Sequence, residues 1–326
     1  MKALVTGANG FIGSHLVEEL LAQKCEVTCL VRQTSNLRWV KDLPVHFEFG
    51  NVTDYPSLLN AVKGKNRIFH CGGIVRARDE NEFFRVNAEG TKNLLQAILE
   101  NANQVDRFIY LSSQAAAGPS DNGVPISEEN FPSPVSLYGK SKLEGENFVH
   151  QFSRHFPTTI IRPPSVYGPR DEDFLAVFKQ VKFGIKAKIG RREKKISLVH
   201  VSDLVRGIVL AAMSHQAINE TFFITNQEDC FVGDLVNLIA GALGKKGISI
   251  TVPEFFLAVA AFVAESLAHF AGKAPLVNRD KVRELRQQYW LIDGSKAEKL
   301  LRFKPKIALK DGIIQTCRWY CQQGWL

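Results

Sequence analysis

The sequence lacks an apolar run long enough to cross a bilayer. Its longest apolar stretch, Phe255 to Ala264, is shorter than the roughly 20 residues that a spanning helix needs. A recognisable signal peptide is also missing, because the first residues lead directly into a strand-like run, Lys2–Thr6. With 45% hydrophobic and 23% charged residues, the composition lacks the bias of disordered or collagenous chains. These absences predict a cytoplasmic, globular protein without a transmembrane segment.

Cysteine is scarce, and no two cysteines form a Cys-x-x-Cys pair. A structural zinc site would need such closely spaced pairs and histidines in support of them. We therefore expect core thiols in a reducing compartment and no bound metal. The six cysteines are Cys25, Cys29, Cys71, Cys230, Cys317 and Cys321.

Acidic residues are fewer than basic ones, 33 against 41, which gives a net charge of +8. Such an excess could attract nucleic acid, anionic lipid or a phosphorylated cofactor. The basic residues look dispersed, and their densest cluster, residues 191–195, contains Glu193 and no aromatic side chain. This cluster is expected to be a solvated loop, because nucleic-acid-binding motifs combine basic with aromatic residues. No nucleic-acid partner is predicted.

Short β-branched runs alternate with helical patterns through the first half of the chain. This alternation predicts an α/β fold, a doubly wound parallel sheet of the Rossmann type with helices on both faces. The predicted strands are Lys2–Thr6, Glu26–Val31, Val45–Phe49, Arg67–Cys71, Phe108–Leu111 and Thr158–Arg162, and the predicted helices are Phe11–Gln23, Tyr55–Val62, Ala88–Asn101 and Tyr138–His155.

The rhythm of these patterns becomes irregular after Gly168. We predict a dinucleotide-binding Rossmann domain at residues 1–168, completed by residues 196–225. A smaller, mostly helical substrate-binding region at 169–326 would be interleaved with it. Open α/β sheets bind ligands at the carboxyl ends of their strands, so this smaller region is expected to cover that edge.

Three glycines with the spacing Gly-x-x-Gly-x-x-Gly separate the first predicted strand from the first predicted helix. They are Gly7, Gly10 and Gly13, with Phe11 and Ile12 at the helix start. Glycine permits a tight turn and lets the backbone approach a pyrophosphate, whose charge rests on the helix N-terminus. A glycine turn alone could be structural, but its strand–turn–helix context predicts a dinucleotide site.

Arg32 follows the second predicted strand, at the position where NAD enzymes place an acid to bind the ribose 2′-hydroxyl. A guanidinium suits a 2′-phosphate instead, and Ser35 and Asn36 could donate hydrogen bonds to it. The sequence therefore favours NADP as cofactor. NAD stays open, because Arg32 could also be an ordinary exposed loop residue.

A Tyr-x-x-x-Lys pair, Tyr138 and Lys142, lies on a predicted helix and is preceded by Ser112 and Ser113 at the end of a predicted strand. Further matching stretches occur in the same order along the chain: Asn51–Asp54, Val86–Thr91, Arg162–Pro169 and Val199–Asp203. Together with the N-terminal glycines, these motifs resemble the extended short-chain dehydrogenase/reductases, which form the NAD-dependent epimerase/dehydratase superfamily. The resemblance covers essentially the whole chain.

The spacing of the Tyr-x-x-x-Lys pair also has a chemical explanation that does not depend on the resemblance. A phenol with a pKa of about 10 is a poor acid–base catalyst near neutral pH, and burial raises that pKa further. Lys142 lies one helical turn after Tyr138, so its ammonium can approach the hydroxyl and stabilise a phenolate. The resemblance implies that Tyr138 exchanges the proton of the substrate oxygen, that Lys142 also holds the nicotinamide ribose, and that Ser113 orients the substrate carbonyl.

The resemblance also implies further cofactor contacts. They comprise the adenine pocket (Asn51, Val52), the floor beneath the pyrophosphate (Cys71, Gly72, Gly73), the nicotinamide lining (Pro163, Val166) and Ser112. The chain departs from the family where Asn51 replaces the commoner aspartate and where Cys71-Gly72-Gly73 replaces a commoner pair of alanines.

Other departures narrow the predicted reaction. Sugar-nucleotide dehydratases need acids beside the catalytic hydroxyl, whereas Gln114 and Ala115 follow Ser113. Nucleotide-sugar epimerases usually hold phosphate with an asparagine and an arginine where this chain has Ser165 and Ile196. The motifs look more like the dihydroflavonol reductase and 3β-hydroxysteroid dehydrogenase branch. We therefore predict an NAD(P)-dependent oxidoreductase that interconverts a ketone and a secondary alcohol on a fairly apolar small molecule.

Alternatives stay open at this point. The chain could be a nucleotide-sugar epimerase with tightly bound NAD(P), or a non-catalytic cofactor-binding regulator, although such regulators commonly lose the tyrosine or the lysine. The apolar helical pattern at residues 255–271 could be a buried helix, a lid over an apolar substrate, or a helix that touches a membrane surface. A homodimer is likewise left open.

Overall fold

In the computed structural model, which describes residues 1–101, 105–257, 259, 261, 265 and 278–326, the chain has a central parallel sheet flanked by helices. The strands are β1 (Lys2–Thr6), β2 (Glu26–Val31), β3 (His46–Phe49), β4 (Arg67–His70), β5 (Arg107–Leu111), β6 (Thr158–Arg162), β7 (Ser165–Tyr167), β8 (Ile185–Ile189), β9 (Lys195–Ile196), β10 (Leu198–His200), β11 (Glu220–Phe223), β12 (Cys230–Phe231), β13 (Ile248–Val252) and β14 (Tyr289–Trp290).

The helices alternate with the strands through the first half of the chain and dominate the second. They are α1 (Phe11–Ala22), α2 (Tyr55–Ala61), α3 (Glu80–Phe83), α4 (Gly90–Asn101), α5 (Gln114–Ala117), α6 (Leu137–Phe152), α7 (Asp173–Lys182), α8 (Val201–Met213), α9 (Val232–Ala242), α10 (Arg279–Arg286), α11 (Ser295–Leu301) and α12 (Leu309–Gln322). A π-helix at Phe84–Glu89 precedes α4, and a short 3-10 helix at His215–Ala217 follows α8.

Seven parallel strands form the central sheet in the order β11-β6-β5-β4-β1-β2-β3. The chain runs outward from β1 to β3 and then crosses to β4 on the other side of β1, so the crevice between β1 and β4 is the switch point where such sheets bind ligands. One apolar core packs α1 and α8 against one face, and a second packs α2, α4 and α6 against the other. The predicted doubly wound sheet is confirmed.

The boundaries of several helices differ from the sequence prediction. The helix predicted at Ala88–Asn101 begins at Gly90, because the preceding turn is wound as a π-helix around Asn87. The helix predicted at Tyr138–His155 spans Leu137–Phe152, since Ser136 caps its start by accepting a hydrogen bond from Gly139 N.

The C-terminal region adds a third apolar core between α7, α9 and α12, together with three small sheets. These sheets are β10-β7, β12-β9-β14 and β13-β8. The sequence predicts a mostly helical region at 169–326 and does not predict these sheets, because strands of two to five residues give too short an alternation to stand out. None of the helices within the described residues is both long enough and apolar enough to cross a membrane.

Candidate active site

The turn between β1 and α1 depends on contacts that only glycine allows. Gly7 has a φ of +67°, and a Cβ there would lie 2.8 Å from the carbonyl carbon of Cys71. A Cβ on Gly13 would collide with the carbonyl oxygen of Gly7, which also accepts a hydrogen bond from Gly10 N at 3.0 Å. The helix α1 can therefore start directly above the end of β1.

The N-terminus of α1 is open to an anion. No side chain caps it, Gly10 is exposed, and Phe11 and Ile12 are only half-buried beside it. Uncapped N–H groups at a helix start attract phosphate. The residues of this turn thus fit the pyrophosphate of a dinucleotide.

The loop after β2 places Arg32 at the surface. Ser35 Oγ accepts a hydrogen bond from Arg32 N at 3.1 Å, so this hydroxyl closes a turn of the loop. Asn9 of the glycine turn donates from Nδ2 to the Asn36 carbonyl oxygen at 3.4 Å. The guanidinium of Arg32 is thereby held on a loop that contacts the glycine turn.

Cys71, Gly72 and Gly73 follow β4, the neighbour of β1 in the sheet. Gly72 N donates to Thr6 Oγ1 at 2.9 Å, and a Cβ on Gly73 would lie 3.1 Å from Asn87 Oδ1. Burial raises the pKa of the Cys71 thiol to about 12, so the thiol stays neutral. These three residues form a narrow floor beside the glycine turn.

Asn51 and Val52 lie in the turn after β3, at the far edge of the sheet. Gly50 N donates to the Val31 carbonyl oxygen at 3.0 Å and ties this turn to the end of β2. The Asn51 side chain accepts a hydrogen bond from the backbone N–H two residues later, and Val52 is buried against Gly90. Both residues stand at the sheet end that carries Arg32, and their contact with an adenine stays a prediction.

Ser113, Tyr138 and Lys142 come together where β5 ends. Burial raises the pKa of Tyr138 to about 12, and a hydrogen bond with Ser113 opposes that rise. Lys142 Nζ donates to the Leu111 carbonyl oxygen at 2.7 Å and lies 4.2 Å from the centroid of the Tyr110 ring. The three side chains of the predicted catalytic set therefore share one site.

Burial lowers the pKa of Lys142 to about 8, against the opposing effect of the Glu146 carboxylate. The ammonium form is thus favoured at neutral pH and is lost by mild alkalinisation. An amine that titrates in this range can respond to charge on a neighbouring phenol or cofactor.

Pro163 and Val166 reach the same end of the sheet from β6 and β7. Gln114 N donates to the Pro163 carbonyl oxygen at 2.8 Å, which ties the segment after Ser113 to the segment after β6. Val166 is half-buried and pairs with Val199 of β10. Ser112, in contrast, is buried, and its hydroxyl donates to the Glu146 carboxylate below the cleft.

A buried ion pair beneath these residues was missed by the sequence reading. Glu146 and Arg162 have side chains that are 1% and 5% exposed, and they form two bonds of 2.9 and 2.5 Å. Glu146 follows Lys142 by one helical turn, a spacing that could have suggested a third functional position. Its partner is set by the packing of α6 against β6, so the pair fixes α6 to the sheet.

The start of α6 is held by two carboxylates from α10. Asp280 accepts hydrogen bonds from Leu137 N at 2.6 Å and from Tyr138 N at 3.2 Å. Glu284 accepts a hydrogen bond from Ser136 Oγ at 2.7 Å. Negative charge at a helix N-terminus is stabilising, so α10 anchors the turn that carries the tyrosine. No local pattern could have indicated this contact across about 140 residues of sequence.

Charged side chains border the tyrosine. Arg76 pairs with Asp173, and Lys281 Nζ lies 2.9 Å from Glu284. The negative charges of Glu284 and Asp173 both contribute to raising the pKa of Tyr138. The rim of the cleft is therefore more polar than the sequence reading expected.

Two polar residues of the matching motifs are engaged by the fold. Asn87 accepts a hydrogen bond from Ile74 N at 2.8 Å and donates to Ser141 Oγ at 3.0 Å. His200 caps α8 by accepting from Ser202 N at 3.3 Å, and burial lowers its pKa to about 4. Both side chains therefore hold backbone segments together.

The apolar pattern at residues 255–271 lies largely outside the described residues, so its role as a buried helix, a lid or a membrane contact stays a prediction. Its first two residues, Phe255 and Phe256, are described and exposed.

Comparison with known proteins gives relatives of two kinds. The chain is 30% identical to an uncharacterized UDP-glucose epimerase, YtcB, of Bacillus subtilis (strain 168), over 96% of each protein. It is 26% identical to the ceramide reductase of Caulobacter vibrioides (99% of this chain, 95% of the relative). It is 28% identical to the decarboxylating sterol-4-alpha-carboxylate 3-dehydrogenase of Bos taurus (97% and 92%).

Among solved structures, that of gox2253 superposes with a TM-score of 0.83 and 29% identity, covering 99% of each chain. Residues 3–224 match the model of the NAD dependent epimerase/dehydratase family. The matched residues include the glycine turn, the Tyr-x-x-x-Lys pair and β11, the last strand of the central sheet along the chain. The resemblance predicted from the motifs is confirmed.

Proposed function

This chain belongs to the NAD dependent epimerase/dehydratase family, and we propose that within it the protein is an NADP-linked reductase of a fairly apolar ketone. Membership alone makes it an NAD(P)-dependent oxidoreductase or epimerase of the extended short-chain dehydrogenase/reductase type. The substrate class and the choice of NADP rest on the residues considered next.

The reaction would need one proton from this chain. Ser113 Oγ and Tyr138 OH donate hydrogen bonds to the substrate carbonyl oxygen, and Tyr138 then gives that oxygen its proton. Lys142, held by the Leu111 carbonyl oxygen, stabilises the phenolate that remains. The turn of Gly7, Gly10 and Gly13 would hold NADPH, which would supply the hydride for the carbonyl carbon when bound.

The observation that carries the substrate class is the apolar side chain of Ile196. It lies in β9 opposite Cys230 and packs against the core that contains Phe178 and Leu198. Nucleotide-sugar epimerases tend to place an arginine here for the substrate diphosphate. An isoleucine at this position would offer a substrate diphosphate no hydrogen bond.

Two further features support a reductase of apolar molecules. The segment after Ser113 forms the buried helix Gln114–Ala117, which offers no carboxylate for expelling water. Two of the relatives are named for substrates with large hydrocarbon parts, ceramide and sterol carboxylates.

A nucleotide-sugar epimerase is the second candidate. The similarity to YtcB favours it, and so do the two ion pairs that border Tyr138, since charged groups can serve a polar sugar. An epimerase returns the hydride to its substrate and leaves the cofactor unchanged overall.

Absorbance of the reduced nicotinamide separates these candidates. The purified protein is supplied with NADPH and a panel of apolar cyclic and long-chain ketones, and separately with UDP-glucose. Net oxidation of NADPH with an apolar ketone is the expected result. Epimerisation of UDP-glucose without net oxidation of NADPH would instead establish the second candidate.

Substitution of Arg32 tests the proposed preference for NADP over NAD. Since a charge-assisted hydrogen bond contributes about 1.5–3 kcal/mol, NADPH should bind about 10- to 100-fold more tightly than NADH. Arg32→Asp should reverse the order, while Gln33→Asp, one residue farther along the same exposed loop, should leave it unchanged. Equal affinities for both cofactors in the wild-type protein would argue against the assignment.

A further inference from the structure

A two-stranded ribbon in the C-terminal region turns its apolar face to solvent. The strands β8 and β13 pair in parallel, with Ile185 opposite Ile248. Ile248 is 74% exposed and Ile250 is 45% exposed, and because side chains alternate along a strand both lie on the same face as Ile185. Half-buried strands usually point their apolar side inward, whereas these isoleucines face solvent.

The polar side chains of β8 lie on the opposite face from Ile185, whereas Ser249 and Thr251 of β13 are exposed like its isoleucines. Lys186 lies opposite Ser249 on that face and donates from Nζ to Asn237 Oδ1 of α9 at 3.1 Å. A shift of one residue in register would move every side chain to the other face. The contact of Lys186 with α9 therefore places Ile185 and its neighbour Ile248 on the face away from that contact.

Exposed aromatic side chains continue this apolar surface at both ends of the ribbon, which is about 16 Å long. Phe183 precedes β8 and is 80% exposed. Phe255 and Phe256 follow β13 and are 70% and 60% exposed. Exposed apolar side chains grouped on one small element of a globular protein commonly mark a binding site.

Positive charge is concentrated on the same two segments, so the dispersed distribution expected from the sequence is wrong for this part of the chain. Residues 179–195 and 244–252 carry ten basic residues and one acidic residue, a net charge of +9 against +8 for the whole chain. The segments meet where Ile248 N donates to the Gly184 carbonyl oxygen at 2.8 Å. We name this end of the ribbon the basic–apolar tip; it comprises Phe183, Ile185, Ile248 and Ile250 with the exposed lysines Lys179, Lys182, Lys245 and Lys246.

We propose that the basic–apolar tip docks on the surface of an anionic lipid bilayer. Its lysines meet the lipid phosphates, while its phenylalanine and isoleucines enter the boundary between head groups and acyl chains. Nucleic acid would match the lysines and leave the aliphatic face in water. A second copy of the tip would bring like charges together. The proposal does not depend on the substrate proposed above.

Vesicle co-sedimentation of the full chain tests the docking surface. Vesicles of phosphatidylcholine mixed with phosphatidylglycerol should bind the protein, and vesicles of phosphatidylcholine alone should not. The double variant Lys182→Gln/Lys245→Gln should weaken binding by about 25-fold, because each lysine near an anionic surface contributes about fivefold. Phe183→Ser/Ile248→Ser should also weaken it, and added salt should release the wild-type protein.

Matched substitutions elsewhere serve as controls. Lys63→Gln/Lys310→Gln removes two exposed lysines, and Leu99→Ser/Val124→Ser removes two exposed apolar side chains, all outside the tip. Both double variants should bind the anionic vesicles as the wild type does. NADPH affinity should be unchanged in all four double variants, which shows that each is folded.

Three results would overturn the proposal. The first is no binding of the wild-type protein to anionic vesicles. The second is equal weakening by tip and control variants. The third is a dimer, seen by light scattering, that Phe183→Ser/Ile248→Ser dissociates while vesicle binding persists, which would make the tip a contact between copies of the chain.

Discussion

The proposed catalytic cleft around Tyr138 and the basic–apolar tip both contain lysine, in opposite surroundings. Lys142 in the cleft is buried, donates to the Leu111 carbonyl oxygen and has its pKa lowered to about 8. The four lysines of the tip are exposed. Desolvation makes the first lysine sensitive to its neighbours, while solvation leaves the others as point charges for an anionic surface.

Apolar side chains differ between the two regions in the same way. Around the cleft they pack in cores on both faces of the sheet, whereas at the tip they face solvent. Burial of apolar area drives folding, so folding explains why apolar residues occur around the cleft. Folding does not explain the exposed apolar residues of the tip, because an exposed phenylalanine contributes little to stability.

The largest expected effect is on catalysis in the cleft. Tyr138→Phe should lower kcat for ketone reduction by about 10³-fold, because the proton donor is lost, and should leave NADPH affinity unchanged. Phe183→Ser at the tip should leave kcat for a water-soluble ketone unchanged. Steady-state kinetics and cofactor titration measure both. Near-normal turnover by Tyr138→Phe would remove the proposed mechanism.

The next effect concerns stability. Glu146→Gln should lower the free energy of unfolding by about 3–5 kcal/mol, because the buried Arg162 would lose its charged partner. Glu144→Gln on the same helix, and Lys182→Gln at the tip, should change it by less than about 0.5 kcal/mol. Urea unfolding measures all three. A loss of similar size in Glu144→Gln would show a general weakening of α6 instead of a specific pair.

A third prediction uses the pKa of Lys142. Its folded-state pKa, about 8, lies below the ordinary value, so the folded protein loses this proton before the unfolded chain does. The cost of burying the ammonium is thus relieved as pH rises through about 8, and stability gains there. Activity should move the other way, since the phenolate loses its supporting cation.

The pH profile of kcat/KM for ketone reduction measures this. It should fall up to about tenfold for each pH unit above the pKa of Lys142, as expected when one protonated group is required. Lys142→Arg, whose guanidinium stays charged, should give a lower rate that is flat over the same range. A wild-type profile without an alkaline decline would contradict the role of Lys142.

The smallest effect is expected at the contact between α10 and α6. Asp280→Asn removes a negative charge from the helix N-terminus and should lower the free energy of unfolding by about 1 kcal/mol. Because the carboxylate also holds Tyr138 N, kcat should fall several-fold with little change in KM. Asp311→Asn, in the first turn of α12, is the matched control for the charge and should leave kcat unchanged.

Much of the fold and part of the site could be predicted from local patterns. The strands Lys2–Thr6, Glu26–Val31 and Thr158–Arg162 agree with the structure at both ends, because buried parallel strands read as continuous β-branched runs. The strands β8 and β13 were not recognised, although Ile185–Ile189 and Ile248–Val252 alternate along their length. A run of five residues is too short for that alternation to outweigh a helical reading.

The sequence by itself determined the arrangement of the predicted site residues that lie close together along the chain. Gly7, Gly10 and Gly13 act within one strand–turn–helix unit, and Lys142 follows Tyr138 by one turn of the same helix, so spacing alone fixes their relation. Only the tertiary structure decided which distant groups meet. The pairing of β8 with β13 joins two basic segments about 60 residues apart and sets which side chains of the two strands share a face. Register and packing carry that information, and because they depend on contacts across the whole chain, no short window of sequence contains it.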